Sequence, residues 1–260
     1  MTFVGRGGPA RLLLGLLLMT AGGAAFAHPA DEFCSGDSGL DPALCRELAR
    51  LDSGSQLSGP DSLPRVEIDR GPLEVARIYT GLGFVHIVPR GLDHILFVLA
   101  LFLASTRFRS LLLQVSVFTL AHTITLALAA SGKISAPGNI VEPLIAASIA
   151  FVAIENLYRT DISRWRPLVV FGFGLFHGLG FAGVLQELGL PQGQFLVALV
   201  SFNVGVELGQ ISVIMIAWLL TAWAFRRAWY RRRIVAPASL AIALAGLWWA
   251  IARTWPAITA

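Results

Sequence analysis

The sequence predicts an all-α, polytopic membrane bundle: six transmembrane helices after a cleaved signal peptide. Three observations predict it. Hydrophobic residues make up 55% of the chain and charged residues only 14%, against about 25% charged in soluble domains. Apolar runs of about 20 residues recur, the length that crosses roughly 30 Å of hydrocarbon. Arginines gather in every second connecting loop, the signature of a chain that threads a bilayer repeatedly.

The elements follow in order. Residues 1–27 read as a signal peptide: Arg6 and Arg11 are its positive end, Leu12 to Met19 its apolar stretch, and Ala25-Phe26-Ala27 an A-x-A cleavage site. Residues 28–76 form a short exported segment, rich in acid, Gly, Ser and Pro, with no apolar run. It holds the only two cysteines, Cys34 and Cys45, and in an oxidising compartment that spacing favours a local disulfide. His28 would head the mature chain, where a free amine beside an imidazole can capture metal, with Asp31 and Glu32 close by.

A six-helix domain occupies residues 77–254, with apolar segments near 78–105, 111–130, 140–158, 168–188, 195–223 and 234–252 and a short exported tail at 255–260. Arg107 and Arg109 follow the first span, Arg159, Arg164 and Arg166 the third, and Arg226, Arg227, Arg231, Arg232 and Arg233 the fifth. The other loops carry little positive charge beyond Lys133. This places both mature termini outside, in the periplasm of a bacterial inner membrane. The first span is too long for one crossing and is interrupted by Pro89-Arg90-Gly91, so a broken helix is expected there. Transporters often build sites from such breaks.

Ionisable and polar side chains within spans are costly, and by default suggest function. The first span carries His86, Asp93 and His94; the second Thr119, His122 and Thr123; the third Glu142, Glu155 and Asn156; the fourth His177; the fifth Asn203, Glu207 and Gln210. At about 1.5 Å per residue, His94, His122, His177 and Glu207 fall near the midplane. Glu142 falls near the outer mouth, Glu155 and Asn156 near the inner one. Asn203, Glu207 and Gln210 share a helical face. Imidazole nitrogen with carboxylate oxygen suits divalent first-row metals such as nickel, cobalt or zinc, and no cysteine lies in the spans to trap an ion. His86, Asp93, His94, His122, His177 and Glu207 are the candidate ligands. Glu142, Glu155, Asn156, Asn203, Gln210 and Thr123 are candidate pathway or supporting residues. The glycines at 172, 174, 178, 180, 183, 205 and 209 read as close helix packing.

Several ordered blocks resemble the HupE/UreJ membrane proteins, regarded as hydrogenase and urease accessory nickel permeases. They are Gly83-Phe84-Val85-His86 leading to Gly91-Leu92-Asp93-His94-Ile95-Leu96-Phe97, then Phe118-Thr119-Leu120-Ala121-His122-Thr123. Glu142 and Glu155-Asn156 follow, then Phe176-His177-Gly178-Leu179-Gly180-Phe181-Ala182, and Phe202-Asn203-Val204-Gly205-Val206-Glu207-Leu208-Gly209-Gln210. The resemblance spans about Gly81 to Gln210. It implies metal-linked roles for His86, Asp93, His94 and His177, and soluble metalloenzyme-maturation proteins as partners. Two departures place the chain on a divergent branch. Six residues, not five, separate His86 from the Asp-His pair, and the second histidine and the glutamate that follow soon after the fourth-span histidine are replaced by Gly180-Phe181-Ala182.

The expected function is therefore a permease for a divalent transition-metal ion, nickel foremost, with the ion as substrate and no organic cofactor. An intramembrane metal-dependent hydrolase, with His94, His122 and His177 around an activated water and Glu207 as base, is the alternative. A haem protein with paired histidines would leave the carboxylates unexplained. No Walker-type phosphate loop and no G-x-S-x-G is present, and no basic helix with interleaved aromatics suggests nucleic acid.

Overall fold

The computed structural model describes residues 71–105, 107–159, 163–181 and 193–259. The expected signal peptide, nearly all of the exported segment, Cys34, Cys45 and His28 lie outside the described residues.

Helix α1 (Pro72–Ile87) opens with proline in its first turn, where the missing N–H has no partner to lose, and with Glu74 near the positive helix end. It stops at Val88, which is extended, as expected of a residue that precedes proline. Helix α2 (Leu92–Ala104) resumes after Gly91, bent by 70° from α1. The break expected at Pro89–Gly91 is present. Gly91 is required there, because any side chain would run into the His86 carbonyl.

Helices α3 (Phe108–Ala130), α4 (Gly138–Tyr158) and α5 (Arg166–Gly180) follow. Then come α6 (Phe195–Thr221), a 3₁₀ turn at Ala222–Ala224, a π-helical turn at Arg231–Val235 and α7 (Ala236–Thr259). Among the described residues there is no strand. Four helical stretches are long and apolar enough to cross a membrane: Phe108–Ala130, Gly138–Tyr158, Phe195–Ala224 and Arg231–Thr254. The bent pair α1–α2 qualifies as a fifth, broken crossing. With 15 residues, α5 reaches about 22 Å, less than a full crossing. The expected fourth span, 168–188, runs on into residues outside the description.

Large apolar side chains such as Leu120, Phe151, Leu168, Leu196, Leu244 and Trp248 are exposed along the helices. A helix that is apolar on its outer as well as its inner face belongs in hydrocarbon. The described residues form an all-helical membrane domain.

The helices pack as three close pairs, α1 with α6, α3 with α5, and α4 with α7, with α2 wedged against α4 and α6. Apolar side chains gain nothing from leaving lipid, so close backbone approach must hold such pairs. Glycine supplies it. On the α1–α6 seam Gly83 lies against the Phe202 carbonyl and Gly205 against the Thr80 carbonyl. On the α3–α5 seam Gly174 lies against the Phe118 carbonyl and Gly178 against Thr125 Oγ1 and the His122 carbonyl. Gly174, Gly178 and Gly205 have the packing role expected of them; Gly83 adds a fourth close approach, whereas Gly172, also expected to pack, has no neighbour within 4 Å of an added Cβ.

Candidate metal centre

The break between α1 and α2 determines where two imidazoles go. His86 lies in the last turn of α1 and His94 in the first turn of α2. In one straight helix, residues eight apart would stand about 12 Å apart along the axis. The bend brings their rings to 4.8 Å between centroids, edge to face. His122, in the middle of α3, adds a third ring 6.0 Å from His94 and 6.4 Å from His86. His177, near the end of α5, adds a fourth 4.9 Å from His94.

Nitrogens of His86, His94 and His122 all lie within 4.8 Å of one another. Around one ion with metal–nitrogen bonds of about 2.0–2.1 Å, such nitrogens sit about 3–4 Å apart, so small side-chain rotations would close the set. The four rings are buried, with 0–7% of their surface exposed. Both nitrogens of His86 and the Nε2 atoms of His94, His122 and His177 have no hydrogen-bond partner. A buried polar atom left so costs about 1–3 kcal/mol. Five such nitrogens lie in this cluster, and three of its four rings, those of His86, His94 and His122, form the close set.

Hydrogen bonds set two of the tautomers. The Nδ1–H of His177 donates to the Phe173 carbonyl at 2.9 Å, which can only accept, so Nε2 keeps its lone pair. Asn203 donates its Nδ2 to the Leu199 carbonyl at 2.8 Å, which turns Oδ1 toward His122. The His122 Nδ1–H donates to that oxygen at 3.2 Å, again leaving Nε2 as a lone-pair donor. Asn203 thus orients the ring of His122, a candidate ligand, in keeping with a supporting position. Replacing it with leucine is expected to weaken metal binding about 10–100-fold, the usual cost of losing such a partner. Equilibrium titration of purified protein checks this.

Four phenylalanines wall the cluster. Phe118 touches His94, His122 and His177; Phe97 touches His177; Phe181 and Phe202 stack on each other at 5.0 Å and both face His86. They keep the imidazoles dry.

The carboxylates among the candidate ligands are engaged elsewhere. Asp93 accepts two bonds from Arg253 Nη2, at 3.0 and 3.2 Å. Glu207 accepts from Ser116 Oγ at 2.6 Å. Gln210 accepts from Thr119 at 3.0 Å, and its Nε2 is buried without a partner. Thr123 bonds back to the Thr119 carbonyl of its own helix. Glu142 has an exposed side chain. Glu155 forms an ion pair with Arg166 at 3.0 Å, and Asn156 donates to the Ala100 carbonyl at 2.7 Å. Arg231 adds a bond to the Asn156 carbonyl. These last contacts clamp the ends of α4 and α5 to the π-helical turn and to α2.

Sequence reasoning missed Arg253 and Gln114. A carboxylate inside a span needs a cationic partner, and that requirement was the available signal for Arg253. Gln114 is buried with an unpartnered Oε1, one helical turn from the Ser110 carbonyl that its Nε2 bonds.

A bent membrane helix bundle with four inward-facing imidazoles defines the class: a membrane protein with a nitrogen-rich polar centre. The family model described as HupE / UreJ protein matches residues 64–253. The chain belongs to the HupE/UreJ family. No curated protein and no solved structure matches it.

Proposed function

We propose that this protein is a permease for a divalent first-row transition-metal ion, with nickel its foremost substrate and cobalt or zinc of the same chemical fit. The observation that carries the reading is the convergence of His86, His94 and His122 within 4.8 Å, with lone-pair nitrogens that no protein group uses. Neutral imidazoles bind borderline divalent ions in preference to magnesium or calcium, which favour oxygen. A site without thiolates also releases its ion, as transport requires. Family membership supports a role in supplying nickel to hydrogenase or urease maturation, with soluble maturation proteins as partners. In this reading six spans cross the bacterial inner membrane and both mature ends face the periplasm.

The hydrolase alternative needs a free carboxylate beside a metal-bound water. Asp93 is bonded to Arg253 and Glu207 to Ser116, which favours transport. The edge-to-face packing of the imidazoles leaves no slot for a porphyrin.

Uptake into proteoliposomes tests the proposal. Wild type is expected to take up nickel, cobalt or zinc saturably and to ignore magnesium and calcium. Equally poor uptake of all five ions by wild type and by a His94→Ala, His177→Ala double variant overturns it.

A further inference from the structure

Asp93 follows the helix break and immediately precedes His94. Its carboxylate is held by Arg253 from the far end of α7. The same guanidinium donates through Nη1 to the Glu142 carbonyl of α4 at 3.3 Å and lies 5.5 Å from the centre of the Trp249 ring. One side chain therefore ties α2, α4 and α7 together beside the imidazole cluster. Unlike the imidazoles, this pair is not sealed: the side chains of Arg253 and Asp93 are 23% and 26% exposed.

We propose that Arg253 is a displaceable counter-ion that guards the approach to the imidazoles, surrendering Asp93 to an arriving divalent cation. The inference rests on the permease reading and adds a gate to it. A fixed positive charge beside the only sequence neighbour of His94 that is acidic masks the carboxylate and repels free cations. A divalent ion carries twice the charge of a guanidinium in a smaller volume, so it competes for the carboxylate. The released guanidinium keeps two resting contacts, the Glu142 carbonyl and the Trp249 face, so its displacement leaves it neither unbonded nor unstacked. Asp93 and His94 are consecutive in the first turn of α2, so an ion captured at the carboxylate is within about one helical turn of the imidazole. Arg253 is thus a positioning residue that acts through Asp93.

The test uses full-length protein in proteoliposomes with nickel or zinc ion alone as probe. Arg253→Gln is expected to lower the apparent KM for uptake about two- to five-fold, the worth of a partly exposed ion pair. Asp93→Asn is expected to raise KM about ten-fold or more, and the double variant is expected to stay with Asp93→Asn. A pair that merely staples helices gives the opposite pattern: Arg253→Gln leaves KM unchanged while lowering Tm, and the charge-balanced double variant returns to wild-type uptake. That result overturns the gate. A second measurement leaves the pair intact. Zinc, which has no unpaired electrons to quench fluorescence, should change the emission of wild type but not of Trp249→Phe as the guanidinium shifts on the indole; an identical response in both overturns the gate. If wild type binds and carries none of the metals, the permease reading fails first and the gate falls with it. If wild type carries them and only the KM pattern fails, the permease reading stands alone.

Discussion

Replacing His94 with alanine is expected to lower metal affinity by at least about 100-fold, more than the loss of a group that only orients a ligand. His94 is the ring nearest to two others, 4.8 Å from His86 and 4.9 Å from His177. Without it only His86 and His122 of the three-imidazole set remain, one ligand short of a three-point site. A companion variant separates binding from packing. His86 has two unpartnered nitrogens and is already in contact with Phe181 and Phe202, so His86→Phe replaces a polar ring by an apolar one of similar shape. It is expected to abolish binding while raising metal-free stability by about 1 kcal/mol, because the cost of two unsatisfied atoms disappears. Titration calorimetry and thermal unfolding in detergent measure the two effects. A histidine kept for packing alone would show the reverse, lower stability with unchanged binding.

The second large effect is expected at Gly178, one residue beyond His177. An added Cβ would strike Thr125 Oγ1 and the carbonyl of His122. The threonine can rotate, but the carbonyl is part of the helix and cannot. The α3–α5 pair must then part by about 1 Å to restore ordinary contact distances. Gly178→Ala is expected to destabilise the protein by about 1–3 kcal/mol and to weaken metal binding at least ten-fold, since His122 and His177 stand on the two separated helices. Gly172→Ala, on the same helix with nothing within 4 Å of the new atom, is expected to change neither quantity. Equal behaviour of the two variants in thermal unfolding and metal titration would show that close approach at Gly178 is not what holds the pair.

The membrane character, the helical class and the break at Pro89–Gly91 were all legible without coordinates. Each is a property of a short run of residues: hydropathy over about 20 positions, or the chemistry of one proline and one glycine. The imidazoles were also legible as candidates, because hydrocarbon penalises each of them individually. Their partners were not. Glu155 and Asn156 lay at the right depth for a pathway, yet the structure spends them on Arg166 and on the Ala100 carbonyl. Glu207 was placed centrally by the same reasoning and turns out to serve Ser116. Arg253 falls just past the last expected apolar segment, 234–252, where nothing in the local sequence marks it as the partner of Asp93.

The chain's order of residues determined by itself that its helices are long and apolar enough for a bilayer, which polar groups interrupt them, and where one helix must stop and turn. Only the tertiary structure decided which of those groups meet. Depth accumulates at about 1.5 Å per residue and can be counted, but each step also rotates the side chain by about 100° around the helix. Whether a group at the correct depth faces an imidazole, an arginine or lipid depends on which helix faces are pressed together. In this protein glycines at 83, 174, 178 and 205 press them, and that contact is settled between segments distant in the chain.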